Sequence, residues 1–301
     1  MDVMPKPLPV DPAQVAGLSA KLLRSHYDNN YLGAVSKLNT IRKQIENTDR
    51  EPVPGFALVG AKREELLAAN SVFLHEAYFD ALGGNGAIPQ GGLSVALERD
   101  FGSEDNWRAE FRALAQAMGG GSGWAILAWS QREARMVNHW AGDHTQLLAG
   151  ASTLLALDMY EHAYHLDFGA NASAYVDAFV AQIRWDAIAS AYARTMAAAS
   201  SLLQILPPEA AAQNDAVILD VRRRSVVELA HEKIPKSEWR DPTASAQWLS
   251  EFDQAQSVIV YCVHGHEISQ NIALALRARG IPAWYLAGGI AGWKSANLPI
   301  S

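Results

Sequence analysis

The hydrophobic pattern of the chain changes near residue 200, and this change limits the folds that its 301 residues can adopt. Before that point, apolar residues recur every four positions, as at Leu18, Leu22 and Leu38, which is typical of long helices. After it, short apolar runs at 217–221 and 258–261 alternate with helical segments. Such alternation is typical of a parallel α/β domain, so the sequence predicts two domains of different class.

The first part of the chain is predicted to be α+β. Helices over residues 15–45 and 62–82, joined by a loop at 51–60, form a helical hairpin at 1–90. A mixed α/β part with a small antiparallel sheet follows at 91–199. Its expected elements are a helical segment over 93–118 with a break at 101–103, strands at 124–129, 135–140 and 153–159, and a helix over 174–193.

The second part is predicted to be a small parallel-sheet domain at 214–301, with strands at 217–221, 258–261 and 283–286 and a helix at 267–279. Residues 200–213 are expected to be a linker, because they contain Pro207, Pro208 and an alanine run.

Charge and composition exclude several classes of function. The net charge is −7 and no long basic run occurs, so no nucleic-acid partner is expected. No apolar run approaches the ~20 residues of a membrane span, so no membrane association is expected. A single cysteine, Cys262, and the lack of an apolar segment near the start predict a cytoplasmic protein without disulfides.

Four residues form a candidate metal-ligand set. Asp158 and His162 lie four positions apart at the predicted end of a strand, and His26 and His75 lie on the two hairpin helices. Facing helices can each direct one histidine towards a common ion, and a carboxylate with imidazoles suits iron or manganese. Any one of these histidines alone is more typical of a hydrogen-bonded core residue, so the prediction depends on the joint pattern.

Residues 1–199 resemble the iron/manganese superoxide dismutase family. The Gly-Ser-Gly-Trp motif ending at Trp124 and the Asp-x-x-Glu-His-Ala-Tyr motif from Asp158 are the most specific matches. Other segments match in family order: 26–27, 35–39, 72–75, 101–103 and Trp185. The resemblance implies one iron or manganese ion per subunit, with iron favoured, bound by His26, His75, Asp158 and His162. It also implies dismutation of superoxide to dioxygen and hydrogen peroxide.

The chain departs from the family around that metal. Asn30 and Ala34 occupy the positions of a histidine and a gateway tyrosine, and Tyr31 is expected to point about 100° away on a regular helix. Ser71 stands where iron-type members carry a glutamine, and the manganese-type glutamine position, near residues 141–142, also lacks an amide.

Three nearby residues are candidates to replace the missing glutamine: His139, His144 and Gln146. Loss of such partners typically costs about 10–100-fold in activity. We therefore expect dismutation to be slower than in the rest of the family but not lost. The alternative is a metal-binding domain that has lost fast dismutation.

The resemblance further implies a homodimer. In the family, the carboxylate at Glu161 bonds to the ligand histidine of the other subunit, and this residue is retained. The tyrosine that usually crosses the interface is His165 here, and its usual partner is Asn30, so both members of that pair have changed. Trp124 is expected near the ligands.

Residues 214–301 resemble a rhodanese domain through four segments: 219–222, 234–235, 261–265 and 288–293. Cys262 lies between a strand and a helix, where backbone N–H groups stabilise a thiolate, although a free cysteine is also commonly a small buried hydrophobe. The resemblance implies that Cys262 takes sulfur from a small donor as a persulfide and passes it to a thiol acceptor.

The cysteine loop also differs from those of the family. It contains His264, Gly265, His266 and Glu267 in place of the usual anion-binding side chains, so thiosulfate is expected to be a poor donor. The two histidines equally fit plain solvent-exposed residues.

Three functions are therefore weighed. The leading hypothesis is a superoxide dismutase fused to a rhodanese-like domain. The second is a sulfurtransferase whose dismutase-like half is a metal-holding dimerisation scaffold. The third is a redox or metal sensor that relays the state of the metal to Cys262.

Overall fold

Two compact units divide the chain, and each is assembled from separate segments. The first comprises residues 1–87, 108–128 and 138–188, and the second comprises 88–107, 129–137 and 189–301. The computed structural model describes residues 2–48 and 54–301. No helix within this described part is both long enough and apolar enough to cross a membrane.

The helices and strands follow the expected order. The helices are α1 (Ala20–Ser25), α2 (Leu32–Thr48), α3 (Gly55–Asp80), α4 (Gly92–Phe101), α5 (Glu104–Gln116), α6 (His165–Phe168), α7 (Ala172–Ala181), α8 (Trp185–Ala199), α9 (Pro207–Ala211), α10 (Arg224–Leu229), α11 (Ser245–Trp248), α12 (Glu267–Ala278) and α13 (Gly289–Ser295). The strands are β1 (Trp124–Ser130), β2 (Arg135–Ala141), β3 (Ala151–Asp158), β4 (Gln204–Ile205), β5 (Val217–Asp220), β6 (Glu238–Trp239), β7 (Val258–Tyr261) and β8 (Ala283–Leu286).

The predicted helical hairpin is present, but its second helix is longer than expected. Helix α3 begins at Gly55, directly after Pro54. The prediction of a loop over 51–60 is therefore wrong for residues 55–60, and residues 51–53 lie outside the described part of the chain. Proline is tolerated at the start of a helix because its missing N–H would have no intrahelical acceptor there, so Pro54 marks a beginning and not a break.

A π-helical turn, His26–Tyr31, interrupts the first hairpin helix between α1 and α2. Wider turns of this kind rotate the following residues relative to a regular helix. The buried side of the helix consequently passes from His26 to Tyr31 and Val35, whereas Asn30 and Ala34 are only half-buried. The expected four-residue stripe, which also ran through Asn30 and Ala34, is therefore wrong at these two positions, whereas Leu38 is buried as expected.

The first sheet has three strands in the order β2–β1–β3, and β1 and β2 form the predicted hairpin. Every residue of β1 is buried, so this strand forms the centre of the sheet. The predicted helix over 174–193 is two helices, α7 and α8. Long-range bonds fix the break: Gly83 donates to the Gln182 side chain at 2.6 Å, and Arg184 N–H donates to the Ala81 carbonyl at 2.8 Å.

The second sheet has five strands in the order β4–β8–β7–β5–β6, and all four pairings are parallel. The core beneath it includes Ile259, Leu286 and Trp293. Residues 200–213, expected to be a linker, instead contain β4 and α9. Ile205 and Ala210 are buried in this core, so the segment is part of the α/β fold. Strand β4 is only two residues long, which is too short for an alternating pattern of apolar and polar residues to be recognised in the sequence.

Candidate metal centre and cysteine loop

The four predicted metal ligands converge on one point in the first unit. His26 lies in the π turn, His75 on α3, Asp158 at the end of β3, and His162 in the short 3-10 turn that follows. One ligand atom from each residue lies within 4.8 Å of the other three. Oδ2 of Asp158 is 3.1 Å from the Nε2 atoms of His26 and His162 and 3.5 Å from that of His75.

The backbone of α3 fixes the tautomer of His75. Its Nδ1 is 2.6 Å from the carbonyl oxygen of Ser71, one turn earlier, so Nδ1–H donates and the lone pair is left on Nε2. Burial lowers the pKa of His75 to about 3, and burial also lowers the pKa of His26. Both imidazoles are therefore neutral at physiological pH, the state in which histidine binds a metal.

Asp158 is held rigidly at the end of β3. Its Oδ1 accepts from the N–H of Tyr160 at 2.8 Å, and its backbone carbonyl accepts from the Tyr175 hydroxyl at 2.9 Å. Burial alone would raise the pKa of Asp158, but hydrogen bonds from His162 and His26 outweigh that effect and hold it well below its ordinary value. The carboxylate is therefore anionic.

The site fits an iron or manganese ion. Nε2 of His75 is fully buried and has no hydrogen-bond partner in the described part of the chain, although it points towards the other three ligands. An orphaned nitrogen of this kind is costly unless a ligand satisfies it. Three imidazole nitrogens and one carboxylate oxygen form a donor set that suits these two metals.

An aromatic cluster surrounds the ligands. The Trp124 ring lies edge-on to His75 at 5.2 Å, and Tyr160 stacks on His162 at 5.5 Å. His144 stacks on Tyr160 at 5.3 Å and lies 5.7 Å from Trp124. Tyr160 was missed by the sequence interpretation, although its position inside the Asp158–Tyr164 motif was an available signal.

Of the three candidates to replace the family glutamine, His144 packs against Trp124 and Tyr160. Its Nε2 is buried without a partner among the described residues, and Asn70 donates to its carbonyl. Burial lowers the pKa of His144, and the charge of Asp158 opposes that shift. Gln146 instead accepts from the N–H of Gly142, and Nδ1 of His139 is 3.4 Å from the Trp140 carbonyl. The side chain of Ser71 lies 3.4 Å from Nδ1 of His75.

Tyr31 lies where a regular helix would not place it. The π turn brings its ring onto the buried side, with the centroid 6.4 Å from that of His75, so the expected rotation away is wrong. Its hydroxyl donates to Glu76 at 3.1 Å and accepts from the N–H of Lys6 at 2.7 Å. Sequence interpretation also missed Glu76, which forms a 2.6 Å ion pair with Lys6.

The two residues expected at a dimer interface are exposed. Glu161 and His165 both lie on the surface beside His162. The apolar side chains of Phe73 and Leu166 are also about half exposed, at 52% and 51%.

The cysteine loop lies at the carboxyl end of β7 in the second unit. The Cys262 thiol is buried and lies 3.3 Å from the hydroxyl of Ser269, on the first turns of α12. Gly265 and Gly289 have φ of +72° and +58°, and the N–H of Ile290 donates to the Cys262 carbonyl at 3.0 Å. These contacts close the loop against the start of α13.

The three polar residues of the loop point to solvent or its boundary. His264 and His266 are exposed, with ring centroids 5.7 Å apart, and Glu267 is half-buried at the first position of α12.

Known proteins match both the first and the last part of the chain. The C-terminal domain of iron/manganese superoxide dismutases matches residues 89–191, and a rhodanese-like domain matches 208–296. An iron superoxide dismutase of Cupriavidus metallidurans is 54% identical over 62% of this chain and 95% of its own length. An iron superoxide dismutase of Aquifex pyrophilus is 32% identical over 64% of this chain and 92% of its own length. A manganese superoxide dismutase of Halobacterium salinarum is 32% identical over 60% of this chain and 90% of its own length.

A helical hairpin and a small sheet that direct three histidines and an aspartate to one point define a mononuclear, non-haem metalloprotein. The chain belongs to the iron/manganese superoxide dismutase family, and it carries a rhodanese-like domain after the dismutase region.

Proposed function

We propose that this protein dismutates superoxide at a single iron or manganese ion held by His26, His75, Asp158 and His162. The observation that carries the proposal is the convergence of these four donors around the orphaned, buried Nε2 of His75. Iron is favoured over manganese because the iron enzyme of C. metallidurans shares 54% identity with this chain.

The chain's own residues set up the chemistry. An iron or manganese ion held by these residues would supply one-electron redox chemistry for the conversion of two superoxide ions and two protons to dioxygen and hydrogen peroxide. The Asp158 carboxylate supplies a negative charge, which would balance part of the charge of the ion, and burial keeps His26 and His75 neutral. Trp124 packs against His75 and Tyr160 against His162, so these rings cover part of the surface of the ligand set.

His144 is our proposed substitute for the missing glutamine. Its Nε2 is buried and has no hydrogen-bond partner among the described residues, and its ring packs against Tyr160 and Trp124. In this role Nε2 would hold or deliver a proton at the mouth of the site. His144 is thus a positioning residue that acts on water and protons beside the ligands.

A homodimer and a cytoplasmic location belong to the same proposal. Exposed Glu161, adjacent in sequence to His162, supports pairing with a second copy, and the half-exposed Phe73 and Leu166 supply apolar surface. The single cysteine supports a reducing compartment.

The rhodanese-like domain supports a second activity, sulfur transfer. The Cys262 thiolate would attack the sulfane sulfur of a small donor, break its S–S bond and release the remainder of the donor as the leaving group. An acceptor thiolate would then attack the outer sulfur of the persulfide and restore Cys262. The hydroxyl of Ser269 donates to the His266 carbonyl at 3.1 Å and lies 3.3 Å from the Cys262 sulfur, so it would stabilise the thiolate if its O–H turned towards the sulfur. Glu267 at the start of α12 disfavours doubly charged donors such as thiosulfate.

The test of the dismutase proposal is superoxide decay per bound metal, with metal content measured by elemental analysis. His162→Ala is expected to abolish the activity and reduce metal content, because it removes one of four donors. His231→Ala, which removes an exposed histidine of the second unit, is the matched control and should change neither. If the metal-loaded wild-type protein decomposes superoxide no faster than the free ion, the proposal fails and the scaffold or sensor hypothesis replaces it.

A further inference from the structure

A small cavity in the second unit contains an unusual number of arginines. Its volume is about 230 Å³, and all of its lining residues belong to the second unit. None of them belongs to the cysteine loop. Three arginines line it, Arg99, Arg135 and Arg279, together with two carboxylates, Asp100 and Glu133.

Arg99 forms a fixed cationic wall. Its side chain is only 7% exposed, and its Nε and Nη2 atoms each donate to Asp100 at 2.6 Å. Asp100 also accepts from the N–H of Met136 at 2.7 Å, so its carboxylate is fully engaged. Nη1 of Arg99 has no acceptor within the described residues, which leaves it available to a ligand.

Ser245 supplies a second unused donor. Its side chain is fully buried and lines the cavity, and its Oγ has no hydrogen-bond partner in the described part of the chain. Buried hydroxyls are almost always hydrogen-bonded. A ligand oxygen in the cavity would satisfy this one.

Two exposed arginines, Arg135 and Arg279, add positive charge at the rim of the cavity. Arg135 is exposed and forms no ion pair among the described residues, and Arg279 donates only to the Ala275 carbonyl, at 3.4 Å. Because Asp100 is neutralised by Arg99, only Glu133 opposes the two rim arginines. Ala134 and Leu249 complete the walls with apolar surface.

We propose that this cavity is a binding site for a small oxyanion of the phosphate or sulfate type. Guanidinium groups and a hydroxyl are donors that match the oxygens of such an anion. The volume is below the ~300–1,000 Å³ of sites for drug-sized ligands, so the ligand is small. The proposal is independent of the dismutase chemistry and of Cys262.

The test is isothermal titration calorimetry of the full-length, metal-loaded protein with sodium phosphate, sodium sulfate and sodium thiosulfate, against sodium chloride at equal ionic strength. Cys262→Ser protein is used so that sulfur transfer contributes no heat. We expect one saturable site per chain for at least one of these oxyanions. Preference for thiosulfate would identify a sulfur oxyanion as the ligand, and preference for phosphate would identify a phosphate.

Three variants locate the site. Arg135→Gln and Arg279→Gln should each weaken binding about tenfold, because each removes a charge-assisted contact. Glu133→Gln should strengthen binding, since it removes the unpaired repelling carboxylate, and a misfolded variant cannot mimic that gain. Arg132→Gln is the matched control, because Arg132 is exposed in the same turn and does not line the cavity.

Heat no greater than that of chloride would overturn the proposal. So would an equal loss of affinity in Arg132→Gln, which would indicate unspecific attraction to surface charge. Unchanged affinity in Glu133→Gln would also count against this cavity as the site.

Discussion

The hydrogen bond from Nδ1 of His75 to the Ser71 carbonyl shows how one residue prepares the metal centre. This hydrogen bond directs the Nε2 lone pair towards the ligand atoms of the other three residues, so the imidazole is oriented for metal binding in the metal-free protein. The four residues of the proposed ligand set could be selected from the sequence, because their residue types and the motif around Asp158 are local signals. His144 was one of three sequence candidates, and only its burial and its stacking on Tyr160 single it out.

The buried histidines predict that the metal-free protein loses stability in acid. The folded-state pKa of His75 is lowered to about 3, so between about pH 6.5 and pH 3 the unfolded chain binds a proton that the folded chain does not. Stability is then present above pH 6.5 and falls with pH by up to about 1.4 kcal/mol per unit from this group. The lowered pKa values of His26 and Asp158 act in the same direction.

The measurement is the urea midpoint of metal-free protein at pH 7 and pH 5. We expect a lower midpoint at pH 5, and a smaller difference in His75→Gln, which lacks the titrating group. Equal midpoints in the wild-type protein would contradict the buried, neutral state of His75.

Substitution of His144 tests its positioning role. His144→Ala should lower the dismutation rate per bound metal about 10–100-fold with the metal retained, as losses beside the ligands typically do. His144→Gln should recover part of that loss and shift the pH profile, because an amide donates without titrating. His139→Ala is the control, because His139 lies on strand β2, five positions before His144. This variant should keep the wild-type dismutation rate and pH profile.

At the scale of elements, the long helices and most strands follow from periodicity, whereas two features do not. The π turn at His26–Tyr31 shifts the buried side by one residue, and the sequence contains no glycine or proline there to mark it. Strand β4 is two residues long and is recognisable only through its pairing with β8. Both features depend on tertiary contacts, which no local pattern reports.

The cysteine loop gives a prediction at this scale. Gly289 has φ of +58°, and a Cβ there would overlap the Cys262 carbonyl oxygen and lie 2.7 Å from the N–H nitrogen of Gly265. Gly289→Ala should therefore combine about 1–2 kcal/mol of backbone strain with about 1–3 kcal/mol of overpacking, and it should abolish persulfide formation.

Gly280→Ala is the matched control. Its φ is +82°, but an added Cβ would meet only the flexible Gln254 side chain, at 2.9 Å from Nε2. Gly280→Ala should therefore lower the free energy of unfolding only by the backbone strain, and it should still transfer sulfur. Equal destabilisation of the two variants, measured by urea unfolding, would show that the loop yields to the added methyl group.

At the scale of the whole molecule, the chain joins two chemistries that rest on different residues. The donors of the metal centre all lie in the first unit, and Cys262 with Ser269 lies in the second. The presence of two domains was predictable from the change of pattern near residue 200. The segments that make up each unit were not predictable, because residues 88–107 and 129–137 belong to the second unit although they precede the rhodanese-like region.

Separate chemistries predict separable activities. Cys262→Ser should abolish persulfide formation, followed by mass spectrometry after incubation with a persulfide donor, and leave superoxide decay unchanged. His162→Ala should do the reverse. A change of the remaining activity in either variant would favour the sensor hypothesis, in which the state of the metal is relayed to Cys262.

The proposed metal centre dismutates superoxide although Asn30, Ala34 and Ser71 replace the groups that the family usually places around it. Pulse radiolysis of the iron-loaded and the manganese-loaded protein, with the rate expressed per bound ion, tests this activity most directly. We expect superoxide to decay faster than with the free ion in at least one metal form, at a rate that His144→Ala lowers. Full metal occupancy with decay no faster than that of the free ion in both forms would contradict this expectation.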